Sequence, residues 1–315
     1  MSIHAFQAPA AVVMIRPHAF HPNPETAQDN SFQSSADGHD AAGIAAAAHD
    51  EVSAAAAKLQ AAGVTVHLFD DHGERNTPDS VFPNNWFSTH GGGHVAIYPM
   101  YSTNRRRERR SDVIEMLKTS YRVQDVIDYS GLEPDGLFLE GTGAMVLDHI
   151  DRVAYTARSN RASEVMLERF CTHFNYEPLV FSTAGTDGQP TYHTNVMMCI
   201  ATRFAMVGFD LFTDPARRAE VRRRLEESGR TVIALSNEQI ASFAGNAIEL
   251  TGTASKNDGR VLALSTTAAA SLTAAQRTTI EQFAELLPLH VPTIEMAGGS
   301  VRCMLAGVHL AKRPE

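Results

Sequence analysis

A pattern of two short β-prone runs, a helix and a further β-prone run recurs five times along this chain, and that recurrence restricts the fold more than any single motif. The runs 85–88 and 95–98 flank a His90-Gly91-Gly92-Gly93 turn, and a helix over 106–120 and a strand over 123–127 follow. Runs 144–147 and 153–156 repeat the hairpin about Asp148-His149-Ile150-Asp151, with a helix over 162–174 and a strand over 178–181. The third hairpin, 196–201 with 205–209, leads to a helix capped by Thr213, opened by Pro215 and closed by Gly229, then to a strand over 231–235. The fourth, 247–251 with 260–265, turns at Asp258-Gly259. Thr273 and Gln276 then form a capping box for a helix reaching 287, before a strand over 289–292. The fifth unit is split between the termini. Residues 301–310 supply one hairpin strand, 11–15 its partner, 41–62 an Ala-rich helix ended by Gly63, and 64–69 the last strand. Such units cannot bury their apolar faces alone, so the pattern predicts an α/β ring of five ββαβ units about a pseudo-fivefold axis, in one domain spanning 1–315.

Just ahead of the first hairpin strand of each unit stand Asn84, Glu140, His193, Asn246 and Cys303, separated by 56, 53, 53 and 57 residues. Equivalent points of a ring face one end of its axis, so a thiol, an imidazole, a carboxylate and two amides should converge. These are the groups needed for a nucleophile, a base, an orienting acid and polar substrate contacts. Each has a plainer reading. A cysteine in the apolar run 301–305 is by itself a small buried hydrophobe, and a lone histidine more often serves structure. Gly298-Gly299 ahead of Cys303 allows close backbone approach, and Glu140 leaves an apolar run into Gly141-Thr142-Gly143. Asn246 could simply tie down a turn.

The formal net charge of −9 argues against nucleic acid or an anionic membrane as partner. Cys171, Cys199 and Cys303 are too few for a disulfide framework and fit a reducing compartment. No apolar stretch approaches the roughly 20 residues of a membrane helix. The opening residues, 1–17, read as a first strand rather than a leader. A cytoplasmic protein acting on a small molecule is expected, with association into a homo-oligomer left open. The run 105–110, rich in arginine, reads as a solvated helix start or as the source of one arginine at the pocket rim.

Several stretches resemble motifs of the amidinotransferase superfamily, which includes arginine deiminases and dimethylarginine dimethylaminohydrolases. Gly298-Gly299-Ser300-Val301-Arg302-Cys303 resembles their Gly-Gly-x-x-x-Cys. Leu139-Glu140-Gly141-Thr142-Gly143 is similar to Glu-Gly-Gly-Asp, and His193-Thr194-Asn195 to His-x-Asp. Pro78-Asp79-Ser80-Val81-Phe82-Pro83-Asn84-Asn85 resembles Pro-Asp-x-Val-Phe-x-Glu-Asp, and Ala157-Arg158-Ser159-Asn160-Arg161 resembles Gly-x-Ser-x-Arg. Five motifs in order span nearly the whole chain. The resemblance implies a five-bladed α/β propeller, or pentein, and a covalent cysteine hydrolase without cofactor or metal. It implies catalysis by Cys303, His193 and Glu140 and substrate contacts from Asp79, Asn84, Asn85, Asn195 and Arg161. The segment 23–33, with Asn30, fits a substrate-covering loop of the citrulline-utilisation hydrolases, the group the chain most resembles.

Departures from these motifs bear on the substrate. Carboxylates of the guanidino-hydrolysing relatives are Asn84, Asn85, Asn195 and Gly143 here. A guanidinium donates from every nitrogen and favours carboxylate acceptors, whereas a neutral ureido group offers a carbonyl that an amide can donate to. Citrulline is therefore the expected substrate, and the resemblance to citrulline-utilisation hydrolases implies ornithine, ammonia and carbon dioxide as products. Asp79 and Glu140 keep a guanidino substrate in view: arginine for a deiminase or dihydrolase, or a methylated arginine. A binding protein without catalysis would use the same pocket. A zinc site is the other rival, but neither His90 with His94 nor Cys171 with His173 has a third ligand at a recognised spacing.

Overall fold

A computed structural model describes residues 6–34, 40–186, 188–253 and 257–314. The first five residues, included in the expected opening strand, lie outside the described residues. Among the described residues, fifteen strands form five three-stranded sheets. They are β1 (Ala11–Pro17), β2 (Thr65–Asp71), β3 (Phe87–His90), β4 (His94–Ile97), β5 (Asp125–Asp128), β6 (Met145–Asp148), β7 (Val153–Ala157), β8 (Glu177–Phe181), β9 (Met198–Ile200), β10 (Phe204–Val207), β11 (Thr231–Ala234), β12 (Ile248–Thr251), β13 (Arg260–Ser265), β14 (Glu285–Leu289) and β15 (Ala306–Gly307). Within each sheet the middle strand pairs antiparallel with one neighbour and parallel with the other. The parallel partner is reached through a helical crossover, because parallel strands need a long connection. The split unit forms as expected: β15 from the C-terminus pairs with β1 through Val12 opposite Gly307 and Val13 opposite Ala306.

Hydrogen bonds also join neighbouring units. Thr89 donates to the carbonyl of Gly307, Thr142 to that of Asn84, Thr194 to that of Ala144 and Asn246 to that of Asn195, while the Arg302 backbone donates to Asn246 Oδ1. The helix Ala41–Ala61 starts where Asp40 accepts from the amides of Ala42 and Gly43, a cap that contributes about 1 kcal/mol. It lays Ile44, Ala48, Val52 and Leu59 against β1 and the short helix Pro292–Glu295. No helix of the described residues is long and apolar enough to cross a membrane.

Several expected boundaries move. Residues 301–310 are not one strand: Val301–Met304 is a helical turn and only Ala306–Gly307 is paired. Asp214, not Thr213, caps the helix Pro215–Glu227, accepting from the amide of Ala216. The Thr273–Gln276 capping box forms, but its helix ends at Glu281, and the strand is Glu285–Leu289 in register with β13. Pro292 then opens a helix instead of closing a strand, as its missing N–H and fixed φ favour. Arginines 105–107 sit in a 3₁₀ turn, Asn104–Glu108, ahead of a helix that starts only at Ser111.

Candidate active site

Four of the five equivalent positions lie in or beside a helical turn that enters a first hairpin strand, and the fifth, Asn246, lies in a bend. Asn84 and Asn85 end the turn Pro83–Asn85, Glu140 precedes Gly141–Ala144, and His193 precedes Thr194–Val196. Asn246 sits just ahead of β12, and Cys303 lies within Val301–Met304. Every one of these side chains is buried.

The Cys303 sulfur receives two side-chain amides, Asn195 Nδ2 at 3.3 Å and Asn246 Nδ2 at 3.2 Å. Two N–H groups aimed at one sulfur favour negative charge on it. Burial pushes the thiols of Cys171 and Cys199 up to about 12. His193 Nε2 lies 2.9 Å from Glu140 Oε2. Burial holds the imidazole down at about 4 despite the opposing bond to Glu140, so His193 is neutral at pH 7 and ready to accept a proton. For Glu140, burial alone would raise the pKa. Arg161, the hydrogen bond with His193 and Arg105 outweigh it, and the carboxyl stays well below its usual range. Its second oxygen accepts from the Tyr101 amide at 3.0 Å.

Two glycines let these turns approach. Gly141 has φ +48°, and a Cβ there would lie 2.4 Å from the Asn84 carbonyl oxygen. A Cβ on Gly143 would lie 2.2 Å from Asn85 Nδ2 and 2.8 Å from His193 Nδ1, so the acid that relatives carry at this point has no room here.

A small cavity is lined by Cys303, His193, Asn85, Asp79, Arg161 and Asn30, and also by Arg105, Tyr192, Phe82, Ala297 and Gly299. Asn84 stands behind it, accepting from Asn85 Nδ2 at 3.1 Å. Asp79, Asn84 and Asn195 each keep one buried polar atom without a protein partner: a carboxylate oxygen, Asn84 Nδ2 and Asn195 Oδ1. Leaving buried polar groups unsatisfied is costly. Asp79 is fixed by Asn23 Nδ2 at 2.8 Å, and burial raises its pKa against the pull of Arg105.

Arg105 and Arg161 supply the positive charge. The reading of 105–110 as a solvated helix start fails for Arg105, which is 2% exposed and chelated by Glu108 at 2.8 and 3.0 Å. It lies 3.6 Å from Asp79 and 3.5 Å from Glu140. The run of like charges hid it, since one buried arginine among five looks the same in sequence as its neighbours. Arg161 is also buried, ahead of the helix Glu164–Phe174 rather than inside it. It stacks over Tyr192, 4.8 Å from the ring centroid, and lies 3.6 Å from Glu140. The segment 23–33 covers the site, with Asn30 Nδ2 donating to the Ala297 carbonyl and Asp29 bonded to Arg161. Tyr192, whose hydroxyl donates to Gly298, carried no motif in the sequence, and Asp29 was part of the covering segment without being singled out.

The same architecture occurs in solved structures. The substrate-bound N-terminal domain of ArgZ, an arginine dihydrolase from the ornithine–ammonia cycle in cyanobacteria, matches with TM-score 0.71 at 14% identity, over 96% of this chain and 98% of that one. AgrE in complex with L-arginine matches with TM-score 0.68 at 16% identity, over 97% of this chain; the chain spans 41% of AgrE. A dimethylarginine dimethylaminohydrolase carrying an S-methyl-L-thiocitrulline adduct matches with TM-score 0.58 at 13% identity, over 94% and 98%. No curated protein sequence matches the chain. The family model described as N,N dimethylarginine dimethylhydrolase, eukaryotic, matches residues 16–310. The chain belongs to that family, within the amidinotransferase superfamily, and is a hydrolase acting on non-peptide C–N bonds.

Proposed function

We propose that the five sheets close into a five-bladed propeller and that the cavity hydrolyses the ureido group of citrulline to ornithine, ammonia and carbon dioxide. The carrying observation is the polarity of the end of the cavity that holds the thiol. Cys303 accepts there from the amides of Asn195 and Asn246, and Asn195 Oδ1 and, behind the cavity, Asn84 Nδ2 each lack a protein partner, one an acceptor and one a donor. That pair suits a carbonyl beside an NH₂. Of the acids, Glu140 is engaged with His193, Tyr101 and the two arginines and Glu108 with Arg105, while Asp79 keeps one oxygen without a protein partner.

In this reading His193 takes the thiol proton and Cys303 Sγ attacks the ureido carbon. The ornithine amine leaves with the proton from His193, and a carbamoyl group remains on sulfur. His193 next deprotonates water; the hydroxide adds, thiolate is expelled, and the carbamic acid released breaks down to ammonia and carbon dioxide. Glu140 orients the imidazole, Asn195 and Asn246 hold charge on sulfur, Arg161 grips the substrate carboxylate and Asp79 takes the α-ammonium. Asn30 keeps the covering segment in place.

A guanidino substrate is the second reading. It is favoured by the family description, by the arginine bound in a structural neighbour and by the unpartnered carboxylate oxygen of Asp79. An assay of citrulline, arginine, N,N-dimethylarginine and agmatine with products identified separates them. Citrulline should give the highest kcat/KM, and a clearly higher value for arginine or its methylated form overturns the ureido reading.

A further inference from the structure

Well away from the catalytic cavity, three metal-binding side chains from three elements meet at the surface. His18 follows the last residue of β1, Asp70 lies near the end of β2, and His49 stands midway along Ala41–Ala61. One ligand atom from each lies within 4.8 Å of those of the other two. His18 Nε2 is 2.9 Å from Asp70 Oδ1, and the His18 and His49 rings are 4.7 Å apart between centroids. A third imidazole, His72, has its ring 4.6 Å from that of His18. His49 Nδ1 lies 3.2 Å from Asp50 Oδ1, so a carboxylate already faces the nitrogen that a metal-bound imidazole leaves free.

We propose that His18, His49 and Asp70 form a binding site for a divalent first-row transition ion of the zinc type. A tetrahedral ion bound at about 2.0–2.2 Å needs its donors about 3.3 Å apart, a contraction that side-chain rotation at this partly exposed site can supply. Two imidazoles and a carboxylate suit zinc, nickel or copper, not calcium or magnesium, which prefer oxygen. Water or His72 completes the coordination. The bound ion would tie the ends of β1 and β2 to the helix at the point where the covering segment leaves β1. Arg16 opposes it, holding Asp70 at 2.7 and 3.0 Å with a charge of the same sign as the ion. This opposition makes a diagnostic: Arg16→Gln should tighten binding, whereas a residue that only supports structure would not.

Titration of the full chain with Co²⁺ and Zn²⁺ at neutral pH tests the proposal. The expected result is one ion per chain, with a cobalt spectrum free of thiolate charge-transfer absorption. His18→Ala and His49→Gln should each weaken binding by at least about tenfold, Asp50→Asn by about tenfold, and Arg16→Gln should strengthen it. Thermal melts in chelator, alike for wild type and variants, establish that the variants fold. If a variant does not melt like wild type, zinc-dependent protection of His49 from diethyl pyrocarbonate in the wild-type chain reads the same site. The proposal is overturned if His18→Ala and His49→Gln bind as wild type does, if the spectrum shows cobalt on sulfur, or if no ion binds below millimolar concentration.

Discussion

Asp29 holds Arg161 with both carboxylate oxygens, Nε to Oδ2 at 3.1 Å and NH2 to Oδ1 at 2.5 Å. The carboxylate comes from the covering segment, and the guanidinium lines the cavity. A substrate carboxylate that takes the Nε–Nη2 edge of Arg161 has to displace this one. Asp29→Asn should therefore lower KM for citrulline several-fold and leave the KM of a decarboxylated analogue unchanged. Steady-state kinetics with the two compounds check this. Equal shifts for both would mean that Asp29 merely holds the segment shut.

Removing the nucleophile or its base should abolish turnover with little effect on folding. Cys303→Ala and His193→Ala are each expected to lower kcat by at least about 10³-fold. Alkylation followed by peptide mapping should label Cys303 first, with substrate protecting it. Cys171 and Cys199, pushed up to about 12 by burial, should react only on unfolding. Substrate-protected labelling of either one would remove Cys303 from its assigned role.

Hairpins and caps were the most legible parts of the fold, because they depend on local pattern. The turn at Asp258-Gly259 has φ +56° and +77°, and both capping-box bonds of Thr273 and Gln276 form. Short apolar runs were not legible. Val301–Met304 is four residues long, too short for periodicity to separate a strand from a helical turn. The helix from Ala274 was extended too far because Phe283, Ala284 and Leu287 continue an apolar rhythm through its end. In the site, Cys303, His193 and Glu140 could be placed together because the repeat makes their positions equivalent. Tyr192 could not, because it enters from a connection that differs from unit to unit; Arg105 and Asp29 fell within segments read as the source of one rim arginine and as a covering loop, without being singled out. The His18–His49–Asp70 cluster was invisible for a related reason, since it brings together residues up to 52 apart across a parallel pairing.

Acid should destabilise the chain through its buried imidazoles. His193 is held at about 4 by burial, and burial also keeps His90 and His149 well below their ordinary value. Unfolded, each binds a proton near pH 6.5, so between 6.5 and 4 the unfolded chain carries more protons and stability falls as pH falls. Glu108 acts in the opposite direction, because burial raises it to about 7. A variant comparison isolates one group. The loss of stability on going from pH 7 to pH 5 should be smaller in His193→Gln than in wild type, by about 1–2 kcal/mol. Urea midpoints at the two pH values measure it, and identical losses would show that His193 is not held neutral.

Substrate charge gives the sharpest test of the proposed function. Asn85 lines the cavity, and Asn195 donates to the Cys303 sulfur while keeping a spare acceptor. Converting both to acids puts two carboxylates beside the thiol. Asn195→Asp also replaces the N–H on sulfur with an oxygen, so negative charge meets negative charge where the thiolate must form. Citrulline has no cation at its ureido end to compensate, and burying unpaired carboxylates is costly. The double variant should lose citrulline kcat/KM by at least about 10²-fold, mostly in kcat, with Asn195→Asp contributing more than Asn85→Asp. Arginine hydrolysis need not appear, because the supporting geometry is unchanged: Gly143 still has no room for the acid that relatives place there. Binding of arginine, however, should tighten, since its guanidinium would meet the new acids. Calorimetry on the double variant in a Cys303→Ala background reads that binding without turnover. Weaker arginine binding than in Cys303→Ala alone would mean that the amides do not face the distal end of the substrate.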